Sequence, residues 1–193
     1  NQNFSFRIKE REQEYNINWN GISAAASPKQ ATAEAQQNAL EINKRLNQIP
    51  EFLRKIDIVP HKRGFFKPIY SPVQISPNPV SEDEVATIIN DPNLPPKISV
   101  DLEKILNREF RTYTPPGTAM VFFQSTDKTS RTSVYLVNEG FGVNQIVYML
   151  AKIHRPEIKT VLIEEPEVHL HPSVTRALAR TLCSIIIEEK KQI

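Results

Sequence analysis

The amino-acid sequence predicts an α/β fold, a mainly parallel sheet flanked by helices with an antiparallel hairpin at its N-terminal end. Three observations carry this. The C-terminal third reads as strand, helix, strand, helix, the order that builds a parallel sheet with helical cover. Residues 4–9 and 13–19 alternate apolar and polar side chains around a short charged gap, the period of two half-buried strands joined as a hairpin. Hydrophobic residues make up 39% and charged residues 24% of the 193, so a sizeable core is available.

The elements follow in order. After the hairpin, Ser27-Pro28-Lys29-Gln30 has the form of a capping box with proline at the first helical position, and predicts a helix running to about Gln48, before Pro50. Its Ala, Gln and Asn content suits a surface helix. Ile56–Val59 is a short apolar strand, followed by the basic turn Pro60-His61-Lys62-Arg63-Gly64. Pro68, Pro72, Pro77 and Pro79 forbid regular helix over 67–80. Ser81-Glu82-Asp83-Glu84 is a second capping box, for a helix ending near Asn90. A Pro-rich turn spans Asp91–Pro96, and Ser99 opens a helix with Leu102, Ile105, Leu106 and Phe110 on one face. Residues 67–112 thus read as an insertion. Strands are expected at 119–123, 133–137 and 159–163, and helices at 143–153 and from Ser173 to about Lys190.

Bulk properties exclude little. Net charge is +2, from 24 basic and 22 acidic residues, so composition alone argues for neither nucleic acid nor membrane. No apolar run reaches the ~18–20 residues that span a bilayer. The single cysteine, Cys183, cannot form an internal disulfide, which fits a reducing, cytoplasmic setting. Cys183 is expected on the buried side of the last helix, and His61 and His154 at the surface. The chain opens inside a strand without Met or a signal-peptide layout, so upstream residues are expected.

The densest chemistry lies in Thr160-Val161-Leu162-Ile163-Glu164-Glu165-Pro166. An apolar strand ends in two adjacent carboxylates, and ligands of open α/β sheets sit beyond the carboxyl ends of strands. Neighbouring strand residues point to opposite faces, so the two can take different tasks. One can hold Mg²⁺, directly or through water; the other can orient or deprotonate an attacking water.

The run from Val161 to Pro172, with Glu164-Glu165-Pro166-Glu167-Val168-His169-Leu170-His171-Pro172, resembles the Walker B and D-loop segment of ABC-type ATPases. It is most similar to the branch that includes the overcoming-lysogenization-defect family and predicted AAA ATPases, related to SMC- and RecF-like ATPases. The resemblance implies a partial P-loop NTPase core, C-terminal part only, with ATP and Mg²⁺ as cofactors. Glu164 takes the Mg²⁺ position, Glu165 the catalytic one, and Glu167, Val168, His169, Leu170 and His171 the D-loop. About 25 residues upstream, Val137-Asn138-Glu139-Gly140-Phe141-Gly142-Val143-Asn144-Gln145 resembles the signature loop, which in the family binds the γ-phosphate held by the opposite subunit. Gly140 and Gly142 let backbone N–H groups approach an anion at a helix N-terminus. Asn138 stands at the signature serine position. Glu139 suits a phosphate site only if it points away. The strand and basic turn at 56–64 resemble the Q-loop region, where Arg63 is a candidate phosphate or nucleic-acid contact.

No Gly-x-x-x-x-Gly-Lys-Ser/Thr occurs, since the five glycines stand at 21, 64, 117, 140 and 142. The family carries that loop before the hairpin and its switch histidine after the next strand. The chain alone is therefore expected not to hydrolyse ATP. The resemblance further implies a homodimer through the ATP sites and an attached or partner effector, such as a nuclease or DNA-binding part, in DNA repair or phage defence. The expected divisions are 1–66 (hairpin, helix and strand of the ATPase core), 67–116 (Pro-rich loop and helical insertion) and 117–193 (signature and Walker B lobe). One alternative is a non-catalytic dimerisation module derived from an ATPase lobe. Another is a hydrolytic zinc site, since Glu165, Glu167, His169 and His171 alternate and an extended segment would set them on one face.

Overall fold

The computed structural model describes residues 4–10, 13–20 and 23–193. They form two compact units, Asn1–Lys55 and Ile56–Ile193. In the first, β1 (Phe4–Glu10), β2 (Gln13–Trp19) and β3 (Ala24–Pro28) form an antiparallel meander, followed by α1 (Ala33–Leu53). The expected pairing of β1 with β2 is present, with Ile8 opposite Tyr15 and Phe6 opposite Ile17. Tyr15 and Ile17 are fully buried and pack in one cluster with Ala39 and Ile42 of α1.

The expected helix start at Ser27-Pro28 is instead strand β3. Two asparagines one turn apart on α1 explain the difference. Asn47 accepts from the Ala24 N–H and donates to the Ala24 carbonyl, both at 2.9 Å, and Asn43 holds Ala26 in the same way. The open edge of β3 is thus satisfied by side chains, which removes the cost of bare backbone groups. The helix starts at Thr32, whose hydroxyl accepts from the Ala35 N–H. Pro50 lies inside α1 rather than beyond it, so the helix runs about one turn further than expected.

In the second unit, β4 (Ile56–Val59) pairs in parallel with β8 (Thr160–Ile163), Val59 opposite Ile163. Between them in sequence come α2 (Glu82–Ile89), α3 (Leu94–Leu106), the antiparallel meander β5 (Arg108–Tyr113), β6 (Phe122–Asp127) and β7 (Ser133–Tyr135), and α4 (Phe141–Ile153); α5 (Pro172–Glu189) follows β8. The architecture is mixed α/β. Among the described residues the parallel part is the β4–β8 pair, and the strands expected near 119–123 and 133–137 belong to an antiparallel sheet. Strand β5 was not legible, because Phe110 reads as a helix-face residue until Asn107 turns the chain at φ 55°. Ser81 and Glu84 form the expected capping box. Helix α3 begins before Ser99, with Pro95 and Pro96 in its first turn, where a missing N–H is harmless.

One core joins these elements. Val85, Ile89, Ile98 and Leu102 from 67–112 share it with Ile146, Leu150, Val161 and Leu178. A buried ion cluster ties β4 to α4: Asp57 accepts from Lys152 and Arg155, each at 2.8 Å. Lys152 also donates to the carbonyls of Ile58 and Pro79. Burial pushes the Lys152 ammonium down, and Asp57 opposes it. His154 is buried rather than superficial, held between Asp101 (2.8 Å) and Glu189 (2.9 Å). Cys183 is exposed, on the opposite side of α5 from the expected one.

Candidate functional site

Strands β4 and β8 end side by side, and the chemistry gathers at that edge. The Glu164 N–H donates to the Val59 carbonyl at 3.1 Å, extending the parallel pairing by one residue. Both carboxylates then meet the turn that follows β4. The His61 N–H donates to Glu164 Oε2 at 2.8 Å, and His61 Nδ1 lies 2.7 Å from Glu165 Oε2. Both glutamates are exposed. Among the described residues, Oε1 of each has no protein partner.

Arg63 fixes the same corner from below. It is 3% exposed, buried rather than carried on a solvated turn. Its guanidinium donates instead to the carbonyls of Pro60, Glu164 and Glu165, the last at 2.7 Å. Burial pushes its pKa down, while Glu165, Glu167 and Glu164 oppose this. Glu165 has φ 44°, a left-handed conformation costing about 1–2 kcal/mol for a residue with a Cβ. Strain of this kind clusters where a side chain must be aimed.

Beyond Glu165 the chain turns tightly. The Val168 N–H reaches the Glu165 carbonyl, the Leu170 N–H reaches the Glu167 carbonyl, and His169 has φ 61°. The segment is not extended, so the single face proposed for Glu165, Glu167, His169 and His171 does not form. Among the described residues no three His, Cys, Asp or Glu side chains converge as a metal cage. His171 caps α5 by accepting from the Ser173 N–H.

The glycine loop lies against this turn. Residues 136–138 form a 3₁₀ turn and Gly140 is the N-cap of α4, with no side chain capping that end. Asn138 and Gly140 are exposed. Glu139 does point away: it accepts from Arg108 and from Ser125 Oγ, inside the unit. A Cβ on Gly142 would lie 3.0 Å from Leu170 Cδ2 and 3.3 Å from the His169 carbonyl, so glycine lets the two loops touch. The ring of Phe141 lies 5.6 Å from His169 and 5.8 Å from Phe66. His61, Lys62, Arg63, Phe66, Phe141, Gln145 and His169 line an open cleft of about 430 Å³.

Three contributors escape the sequence reading. His61 is the hinge of both carboxylates. Asn144 is buried and binds the Phe65 N–H, the Phe65 carbonyl and the Leu136 carbonyl, holding α4 to the segment after the basic turn. Gln145 is buried with its Oε1 unpaired. The last two close the run that resembles the signature loop, but their burial shows in the sequence only as polar residues at the start of an apolar helix run.

Mg²⁺ is usually held by one or two carboxylates together with waters and substrate phosphates, rather than by a full protein cage. A strand-end carboxylate with one oxygen anchored and one free, as in Glu164, fits that demand. The model of the AAA ATPase domain family matches residues 2–193. The chain belongs to that family. It is therefore an ATPase-type domain, and nucleotide with Mg²⁺ is the ligand chemistry the family implies. No curated protein and no solved structure matches it. Among the described residues of this AAA ATPase domain, no helix is long and apolar enough to cross a membrane.

Proposed function

We propose that this AAA ATPase domain is the signature, Walker B and D-loop part of an ABC-type ATP hydrolase, working as a homodimer with ATP between two copies. The observation that carries this reading is the paired anchoring of Glu164 and Glu165 at the shared end of β4 and β8. A phosphate-gripping glycine loop comes from outside these 193 residues.

In this reading Glu164 holds Mg²⁺, which when bound neutralises charge on the β- and γ-phosphates. Glu165 accepts a hydrogen bond from the attacking water through its free oxygen. The water oxygen bonds to the γ-phosphorus, the bond from phosphorus to the β–γ bridging oxygen breaks, and ADP leaves with those electrons. The water proton passes to the Glu165 carboxylate. Asn138, Gly140 and Gly142 face the nucleotide of the second copy, where the uncapped N-terminus of α4 favours an anion. Glu167 to His171 bear on the second copy, and because Leu170 and His169 touch Gly142, each copy's D-loop and signature loop move together. Closure driven by ATP then acts on an attached or partner effector, a nuclease or DNA-binding part.

The test is sedimentation of the intact polypeptide carrying Glu165→Gln, with and without ATP. The expected result is a monomer that becomes a dimer with ATP and stays dimeric because hydrolysis is blocked. An unchanged sedimentation coefficient in saturating ATP would contradict the shared-nucleotide arrangement.

A further inference from the structure

We infer that His61 is a positioning residue for hydrolysis, setting the direction of both carboxylates from one point. The inference rests on the ATPase reading above and adds a residue to it.

A glutamate side chain has three rotatable bonds, so two adjacent exposed glutamates would sample many directions. Here each gives one oxygen to the same residue. The His61 N–H donates to Glu164 Oε2 at 2.8 Å and the imidazole Nδ1 lies 2.7 Å from Glu165 Oε2. What remains is one open oxygen per carboxylate. Preset geometry of that kind lowers the barrier without touching the reacting atoms.

The support behind His61 is rigid. Strand β4 is pinned by the buried Asp57–Lys152–Arg155 cluster, and Lys152 also grips the Ile58 carbonyl. Arg63 donates to the carbonyl of Pro60, the residue before His61, at 3.1 Å. Gly64 closes the turn at φ 138°, where a Cβ would lie 2.8 Å from Phe66 Cζ. His61 therefore rides on a turn that is held at both ends, while its ring stays 58% exposed. An exposed polar side-chain contact of this kind adds at most about 1 kcal/mol to stability. Its consequence must then appear in turnover rather than in folding.

The experiment measures steady-state ATP hydrolysis by the intact polypeptide as His61→Ala, His61→Asn and Glu165→Gln. Asparagine places its Nδ2 donor near the position of Nδ1; alanine keeps the backbone N–H and removes only the hold on Glu165. The expected result is a fall in kcat of about 10–100-fold for His61→Ala, with KM for ATP changed less than about threefold. His61→Asn recovers most of the loss, and the thermal unfolding of both variants matches the parent. Turnover of His61→Ala equal to the parent, with Glu165→Gln inactive, overturns the role of His61 alone. So does a His61→Asn variant no better than alanine. Full turnover by Glu165→Gln overturns the ATPase reading and this inference with it.

Discussion

Replacing Arg63 by methionine should loosen the end of the β4–β8 pair and misdirect both carboxylates. The substitution keeps an unbranched apolar stem and removes the donors to the Pro60, Glu164 and Glu165 carbonyls. Hydrogen bonds from a charged donor contribute about 1.5–3 kcal/mol each. Three effects shrink the total. Glu164 and Glu165 are exposed, so water can reach their carbonyls once the turn relaxes, and relaxation releases the roughly 1–2 kcal/mol held in the left-handed Glu165. Burial also disfavours the guanidinium itself. A net loss of about 2–4 kcal/mol remains, confined to this unit. Because the chain has two compact units, native-state hydrogen exchange, which reads β4 and β8 separately from the first unit, is the sharper assay for a local loss. Amides of β4 and β8 should lose about 2–4 kcal/mol of protection in Arg63→Met and about half that in Arg63→Lys, while those of β2 serve as the internal reference. Protection in β4 and β8 within about 0.5 kcal/mol of the parent would refute the structural role given to Arg63.

Two further outcomes are expected. Burial acts to raise the pKa of Glu189, but hydrogen bonds from His154, Lys191 and Lys97 outweigh it and hold the carboxyl down at about 2, against an ordinary value of 4.5. A depressed folded-state value means stability present above about pH 4.5 and lost as pH falls toward about 2. Acid titration by circular dichroism should show Glu189→Gln less stable than the parent by about 1–3 kcal/mol near neutrality, with the two curves converging in acid; parallel curves would contradict the linkage. The two signature glycines should separate. Gly142→Val collides with Leu170 and the His169 carbonyl and should lower the melting temperature, whereas Gly140→Ala meets nothing within 4 Å and should melt like the parent. On the proposed reading, in which the open space at Gly140 receives the second copy's phosphate, turnover by Gly140→Ala in the intact polypeptide should still fall about tenfold or more; unchanged turnover would remove Gly140 from the site.

What the sequence made legible was local. Period-two alternation located β1 and β2, and the Ser81 capping box and the proline-dense 67–80 stretch matched structure because each depends on neighbours a few residues away. Glu164 and Glu165 were legible as a strand end for the same reason. The misses came from distant partners. Pro28 became the end of a strand because Asn43 and Asn47, about three and four turns into α1, satisfy that strand's edge. Arg63 turned inward because the Glu164 and Glu165 carbonyls, 101 and 102 residues away, accept from it. His154 is buried because Asp101 and Glu189 flank it. His61 stands in the basic turn at 60–64, but nothing in that turn points to the carboxylates, and only the parallel pairing of β4 with β8 brings it to them.

The account stands on Glu165 as the group that activates water. Single-turnover release of phosphate from ATP by the intact polypeptide, parent against Glu165→Gln, addresses this most directly. A fall of at least about 100-fold in the rate, with ATP still bound, is the predicted result. Phosphate release at the parental rate would contradict it.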